Sequence, residues 1–354
     1  MNDALVREYR ELLRSHGVEH LVERKMTPEE YADVVESVRR QLAQAAADYG
    51  EKNLLGETPP DDVLSGRHDP HARRAEKIES AVRGLGLDLP GPVHLGEWPH
   101  HSFNAQARRM RNGTLLLVNV GVPMLLTEVA LALSTRVVIV DPEGGGDWPP
   151  RQTETHERRA KQATENLANS LAAYLLYTDS RKGGRQQLDG TGRGAIAFMA
   201  ADAAQLFAVA HEYGHFLAGH LDQPRPTGSE WLRKSHEQEF EADEIGMLLA
   251  LEVQKADEQI AGGPFLRTNI AVLGAFLFFA IDHLLTRVRD EVPELGAHRI
   301  VSDHPRSDLR AAALRRTVVE LEGPDVFQLA DAFVPNLAAQ EDHVIASLRS
   351  LLRG

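Results

Sequence analysis

The stretch "AVAHEYGHFLAGHL", residues 208–221, places two histidines around a glutamate in the order His211, Glu212, Tyr213, Gly214, His215. The run from about Asp202 to His220 is expected to form one helix. Helical residues four apart share a face, so His211 and His215 can turn their imidazoles toward one ion. Glu212 then projects beside the ion, where a carboxylate can take a proton from water. The pattern alone is not specific in a chain with 16 histidines. It needs a third ligand and further context.

A catalytic zinc typically keeps three protein ligands and one open position. The stretch "EQEFEADEIG", residues 237–246, supplies a candidate on a second expected helix, from about His236 to Gln254. Glu239 and Asp243 lie four apart and share a face. Glu239 can ligate, and Asp243 can accept the other ring N–H of a ligating histidine, which fixes its tautomer. The competing reading is a solvated acidic face, because Glu237, Glu241 and Glu244 lie in the same run. His220, His236 and His283 are expected to be structural. His220 would face another side of its helix from His211 and His215.

Composition narrows the chemistry. The chain has no cysteine, which removes thiol catalysis, disulfides and thiolate-bound zinc, and leaves histidine and carboxylate as metal ligands. Lys plus Arg number 39 against 52 Asp plus Glu, a formal net charge of −13. With no dense basic block, a nucleic-acid partner is not expected. The opening "MNDALVREYRELLRSHG" offers no apolar segment of the secretory kind, so a cytoplasmic location is expected. The apolar run Ile270–Ile281 is short of the roughly 20 residues a membrane-crossing helix needs, and reads as a buried core helix with no membrane span.

The remaining punctuation predicts an α+β chain that is predominantly helical, with a small antiparallel or mixed sheet. Thr27, Pro28 and Glu30 make a capping box at the start of a second N-terminal helix. Residues 51–72 read as a connector containing His68 and His71, and a short helix follows over 73–84. Asn112-Gly113 predicts a hairpin between two strands, and "TRVVIVD", residues 135–141, a third strand. A long helix over 151–181 precedes the glycine-rich loop 182–195, whose spacing does not fit a phosphate-binding loop. The expected organisation is an N-terminal helical segment and connector (1–72), a catalytic domain (73–320) with an inserted segment (134–200), and C-terminal helices (321–354).

The combination "HEYGHFLAGH" with "EFEAD" resembles the gluzincin metallopeptidases, specifically the M48 family that includes the CAAX-prenyl proteases. Metzincins are less similar: their third histidine falls six residues after the second, whereas His220 falls five after His215, and Ala218 stands at their glycine position. "VSDHPRSDLRAAAL", residues 301–314, is similar to the M48 S-T-H-P-x-x-x-x-R motif, with Asp303 in place of threonine. "NAQARRMRNGTLLLVNVGVPMLL" resembles its N-A-x-A segment and strand. Residues 134–200 depart from the family pattern, as does the expected lack of membrane helices.

The resemblance implies a gluzincin metallopeptidase fold with one Zn2+ per chain on His211, His215 and Glu239, and Glu212 as general base. It also implies His304 near the metal as an oxyanion donor, with Arg310 orienting it or assisting. If the strand at Thr114–Asn119 were an exposed edge, Leu115, Leu117 and Asn119 could hold an extended peptide by main-chain hydrogen bonds. The expected activity is an endopeptidase acting on a specific protein or peptide. The alternatives are a metal-stabilised binding or regulatory module without turnover, and a zinc hydrolase of a non-peptide bond.

Overall fold

The computed structural model describes residues 3–22, 27–49, 70–136, 154–177, 179–183, 186–188, 192–222, 229–257, 263–292, 294 and 305–353. The chain runs α1 (Asp3–Ser15), α2 (Glu19–Val22), α3 (Pro28–Tyr49), α4 (Pro70–Gly84), β1 (Val93–Trp98), β2 (Ala105–Met110), β3 (Gly113–Asn119) and α5 (Gly121–Ser134). It continues through α6 (Glu154–Tyr177), α7 (Gly192–Leu217), α8 (Ser229–Ala256), α9 (Gly263–Glu291), α10 (Ser307–Glu322) and α11 (Gln328–Arg353). The fold is thus α+β and predominantly helical, with one three-stranded mixed sheet.

Local chemistry explains several of these boundaries. The capping box at α3 forms as its residues dictate: the Glu30 amide donates to Thr27 Oγ1 at 3.2 Å, and the Thr27 amide donates to Glu30 Oε2 at 3.0 Å. The hairpin is also present, with a shifted turn. Met110 pairs with Gly113, so Arg111 and Asn112 form its two-residue loop. Gly113 instead opens β3 at φ +151°, where a Cβ would stand 2.4 Å from the Pro92 carbonyl oxygen. Helix α4 begins at Pro70, so His71 belongs to a helix and not to the predicted connector, and it is half-buried. His68 and most of the predicted connector lie outside the described residues, as does the predicted strand 135–141 beyond Arg136.

The sheet order is β1-β3-β2, with β1 parallel and β2 antiparallel to β3. This corrects the expectation that Leu115, Leu117 and Asn119 lie on an exposed edge. β3 is the central strand, and all three residues are buried. The reason is its apolar run: Leu115 and Leu117 face α1, whereas Leu116 and Val118 face the helical core, so both surfaces are covered. The strand VHLGEW that occupies its other side lacks a clean alternation and was not anticipated. Helix α1 closes the far face of the sheet with Leu5, Tyr9, Leu12 and Leu13. Its Tyr9 hydroxyl donates to the Glu97 carbonyl at 2.5 Å, and Glu8 accepts from the Asn112 side chain at 2.7 Å.

On the core face lies α7, packed against α5, α8 and α9. It starts at Gly192, about three turns before the predicted start, and takes in the end of the predicted glycine loop. Buried alanines along it, including Ala200, Ala203, Ala204, Ala208 and Ala210, let neighbouring helices approach closely. At Gly274 of α9 a Cβ would stand 2.4 Å from the Ala203 main chain. The α9 run reads correctly as a core element. Helices α7 and α9 have the length and hydropathy of a membrane span, and 67% and 78% of their most apolar windows are buried within the fold.

Candidate metal centre

Helix α7 delivers His211, Glu212 and His215 in its last two turns, and α8 delivers Glu239 and Asp243. The two helices meet through glycines. A Cβ on Gly246 would stand 2.8 Å from the main-chain N and Cα of His211, and one on Gly214 would stand 2.6 Å from the Ala242 carbonyl oxygen. Neither contact admits a side chain, so these positions set how closely the ligands of the two helices approach.

Three donor atoms converge there. His211 Nε2 lies 3.1 Å from His215 Nε2, and Glu239 Oε1 lies 3.3 Å from His215 Nε2. Glu239 Oε2 lies 3.6 Å from His211 Nε2. Ligands about 2.0–2.1 Å from a tetrahedral zinc stand about 3.4 Å apart, so the three separations suit one such ion. His211, His215 and Glu239 thus form a group able to hold a metal. Charge agrees with this. Among the described residues the buried carboxylates Glu212, Glu239 and Asp243 gather near Arg310, so carboxylates outnumber the arginine here, a balance that suits a cation.

Asp243 supports His211 as its spacing predicts, accepting the Nδ1 proton at 2.9 Å while only 1% exposed. Arg310, from α10, grips the same carboxylate in a bidentate pair, Nε to Oδ2 at 2.7 Å and Nη2 to Oδ1 at 2.6 Å. Its Nη1 also stands 3.2 Å from Glu239 Oε2. The Arg310 Nη2 to His211 Nδ1 distance is longer, 3.4 Å, so the histidine proton belongs to Asp243. Burial pushes the Asp243 pKa up, but the charge and hydrogen bonds of Arg310, with His211, outweigh it and hold it below the usual carboxylate range. Arg310 is 6% exposed and engaged by both carboxylates. The part expected of it beside His304 involves a residue outside the described ones.

Glu212 is also buried, yet among the described residues no hydrogen bond or ion pair claims its carboxylate. That distinguishes it from Glu239 and Asp243, both tied to Arg310. His304 lies outside the described residues. The segment just after it is fixed: Pro305 is buried, and the Ser307 hydroxyl donates to Asp282 of α9.

His220 is the residue that sequence reasoning misplaced. Helix α7 ends at Leu217, and Gly219 at φ +70° reverses the chain into a 3-10 turn, His220–Asp222. The reversal returns the His220 ring to the site, with Nδ1 2.9 Å from His215 Nδ1 and Nε2 3.0 Å from Glu241 Oε2. A helical wheel carried past Leu217 cannot show this; the Ala218-Gly219 stop signal could have. Burial, together with His215, holds His220 below the usual imidazole range despite Glu241.

At His215 burial acts to lower the pKa, but the hydrogen bond to Glu239 and the charges of Glu212 and Glu239 prevail and raise it above 6.5. Protons therefore compete with metal for this ring more strongly than for a free imidazole. Metal uptake by this group near neutral pH would release protons, and affinity would fall as pH drops from above 6.5 through the imidazole range. Calorimetric titration in buffers of different ionisation enthalpy measures the release. Uptake without it would contradict a raised His215.

No family model matches the chain, and no curated protein or solved structure matches it. His211, His215 and Glu239 form a candidate metal centre on the strength of their own geometry.

Proposed function

We propose that this chain is a zinc-dependent endopeptidase, acting in the cytoplasm on a specific protein or peptide substrate. The observation that carries the proposal is the convergence of His211, His215 and Glu239 beside Glu212, a buried carboxylate that no hydrogen bond or ion pair among the described residues claims. Two imidazoles and a carboxylate suit zinc and match the ligand set of known zinc peptidases. An ion held by them supplies Lewis acidity toward a carbonyl oxygen and lowers the pKa of water toward about 7.

The chain's own residues divide the remaining work. Glu212 accepts the proton of the attacking water at its carboxylate and returns it to the leaving amine nitrogen. Asp243 keeps the His211 proton on Nδ1, so that Nε2 presents its lone pair. His304 remains our proposed donor to the oxyanion, taken from the resemblance of "VSDHPRSDLR" to the M48 motif. With β3 enclosed, the strand suited to an extended peptide is β2, which pairs with β3 on one side and packs against α7. The Arg109–Asp222 ion pair, at 3.3 Å, ties β2 to the turn that follows α7.

The test is Glu212→Gln with zinc content measured alongside turnover on a mixed peptide library. Turnover is expected to fall about 10²–10⁴-fold, the usual contribution of a general base, with zinc still bound. A wild type that binds zinc and cleaves nothing would favour a metal-stabilised binding module. Cleavage of unfolded casein at many sites would overturn the specificity assigned to the substrate.

A further inference from the structure

We infer that His220 and Glu241 form a positioning relay for His215, which fixes the second histidine ligand as Asp243 fixes the first. The inference rests on the metal-centre reading above. It follows from proton bookkeeping along one line of atoms. His215 Nε2 faces His211 and Glu239, so it is the ligating nitrogen, and a neutral imidazole that ligates through Nε2 carries its proton on Nδ1. That Nδ1 stands 2.9 Å from His220 Nδ1. Two ring nitrogens at hydrogen-bond distance share a single proton, so His220 Nδ1 accepts and its own proton lies on Nε2. His220 Nε2 in turn stands 3.0 Å from Glu241 Oε2 and donates to it. Both contacts are satisfied together by this one tautomer pair, and reversing either ring breaks one of them.

The backbone is arranged to present this ring. Gly219 sits at φ +70°, a conformation other residues resist, and the Arg109–Asp222 pair, at 3.3 Å, holds the far end of the turn. The His220 side chain is 4% exposed, whereas that of Glu241 is 59% exposed. The two histidine ligands are therefore supported differently. His211 is braced from within the core by a buried carboxylate and arginine, and His215 from the solvent side by a ring whose outer partner meets water.

Zinc affinity, measured by chelator competition on wild type, His220→Ala, His220→Asn and Glu241→Gln, tests the relay. Partners of ligating histidines typically govern affinity by about 10–100-fold. His220→Ala is expected to lose that much. His220→Asn, whose amide oxygen can accept the Nδ1 proton, is expected to recover part of it, and Glu241→Gln to show a smaller loss without altering the fold. The visible spectrum of cobalt-loaded His220→Ala is expected to shift from that of wild type, which a purely structural role would not produce. Wild-type affinity in His220→Ala, with an unchanged cobalt spectrum, would overturn the relay alone. A wild type that takes up no zinc would overturn the metal centre and the relay with it.

Discussion

Replacing Arg310 by leucine is expected to destabilise the metal-free protein by about 3–5 kcal/mol, the usual effect of removing one partner from a buried ion pair. The magnitude follows from what is left behind. Asp243 and Glu239 are 1% and 4% exposed, and without the guanidinium both buried carboxylates lose the arginine that compensates them, so each must either stay uncompensated or take up a proton. Burial of Arg310 favours its neutral form, but the charge of Asp243, with Glu239 and Asp282, overcomes this and raises its pKa further, so it stays charged at any working pH. Because the deficit is one of positive charge, saturating zinc is expected to reduce the loss. Urea unfolding with and without zinc would measure both values, and equal losses would mean that Arg310 acts through packing alone. The exposed Arg315–Asp331 pair, on α10 and α11, provides a comparison, and Arg315→Ala is expected to change stability by no more than about 1 kcal/mol.

Substituting alanine for Gly246 is expected to weaken zinc binding by more than about tenfold, with a stability loss of about 1–3 kcal/mol from overpacking. The added methyl would stand 2.8 Å from main-chain atoms of His211, and a helix backbone cannot rotate aside as a side chain can. Helix α8 must therefore move away from α7, and Glu239 sits two turns earlier on the same rigid helix. A displacement that a core tolerates would draw a carboxylate away from an ion that holds its ligands to within about 0.2 Å. Gly84→Ala, where an added Cβ meets nothing within 4 Å, is the matched control and should leave zinc affinity unchanged. If Gly246→Ala binds zinc as tightly as wild type, the helix approach does not set the ligand geometry.

What the sequence made legible was whatever depends on a regular period. His211 with His215, and Glu239 with Asp243, are each separated by one helical turn, so spacing alone places each pair on one face. The capping box at Thr27 and Glu30 and the α9 core helix were readable for the same local reason. Features that depend on distant pairing were not. That β3 is central and not an edge depends on β1, whose parallel pairing with β3 leaves no mark in either strand. His220 was misread because the helical period was carried one turn past Leu217, across a glycine that reverses the chain. Arg310 was located only through resemblance. Its true partners, Asp243 and Glu239, lie about 70 residues earlier, beyond any local pattern.

The N-terminal helix has a practical consequence for handling the protein. Leu5, Tyr9, Leu12 and Leu13 are what cover the Leu115 and Leu117 face of the sheet. Shortening the chain past α1 would bare a flat apolar surface beside strands still able to pair, which is the template on which β-rich chains aggregate. A purification tag added ahead of Asp3 leaves that cover in place, whereas trimming into α1 to aid crystallisation is expected to yield insoluble material.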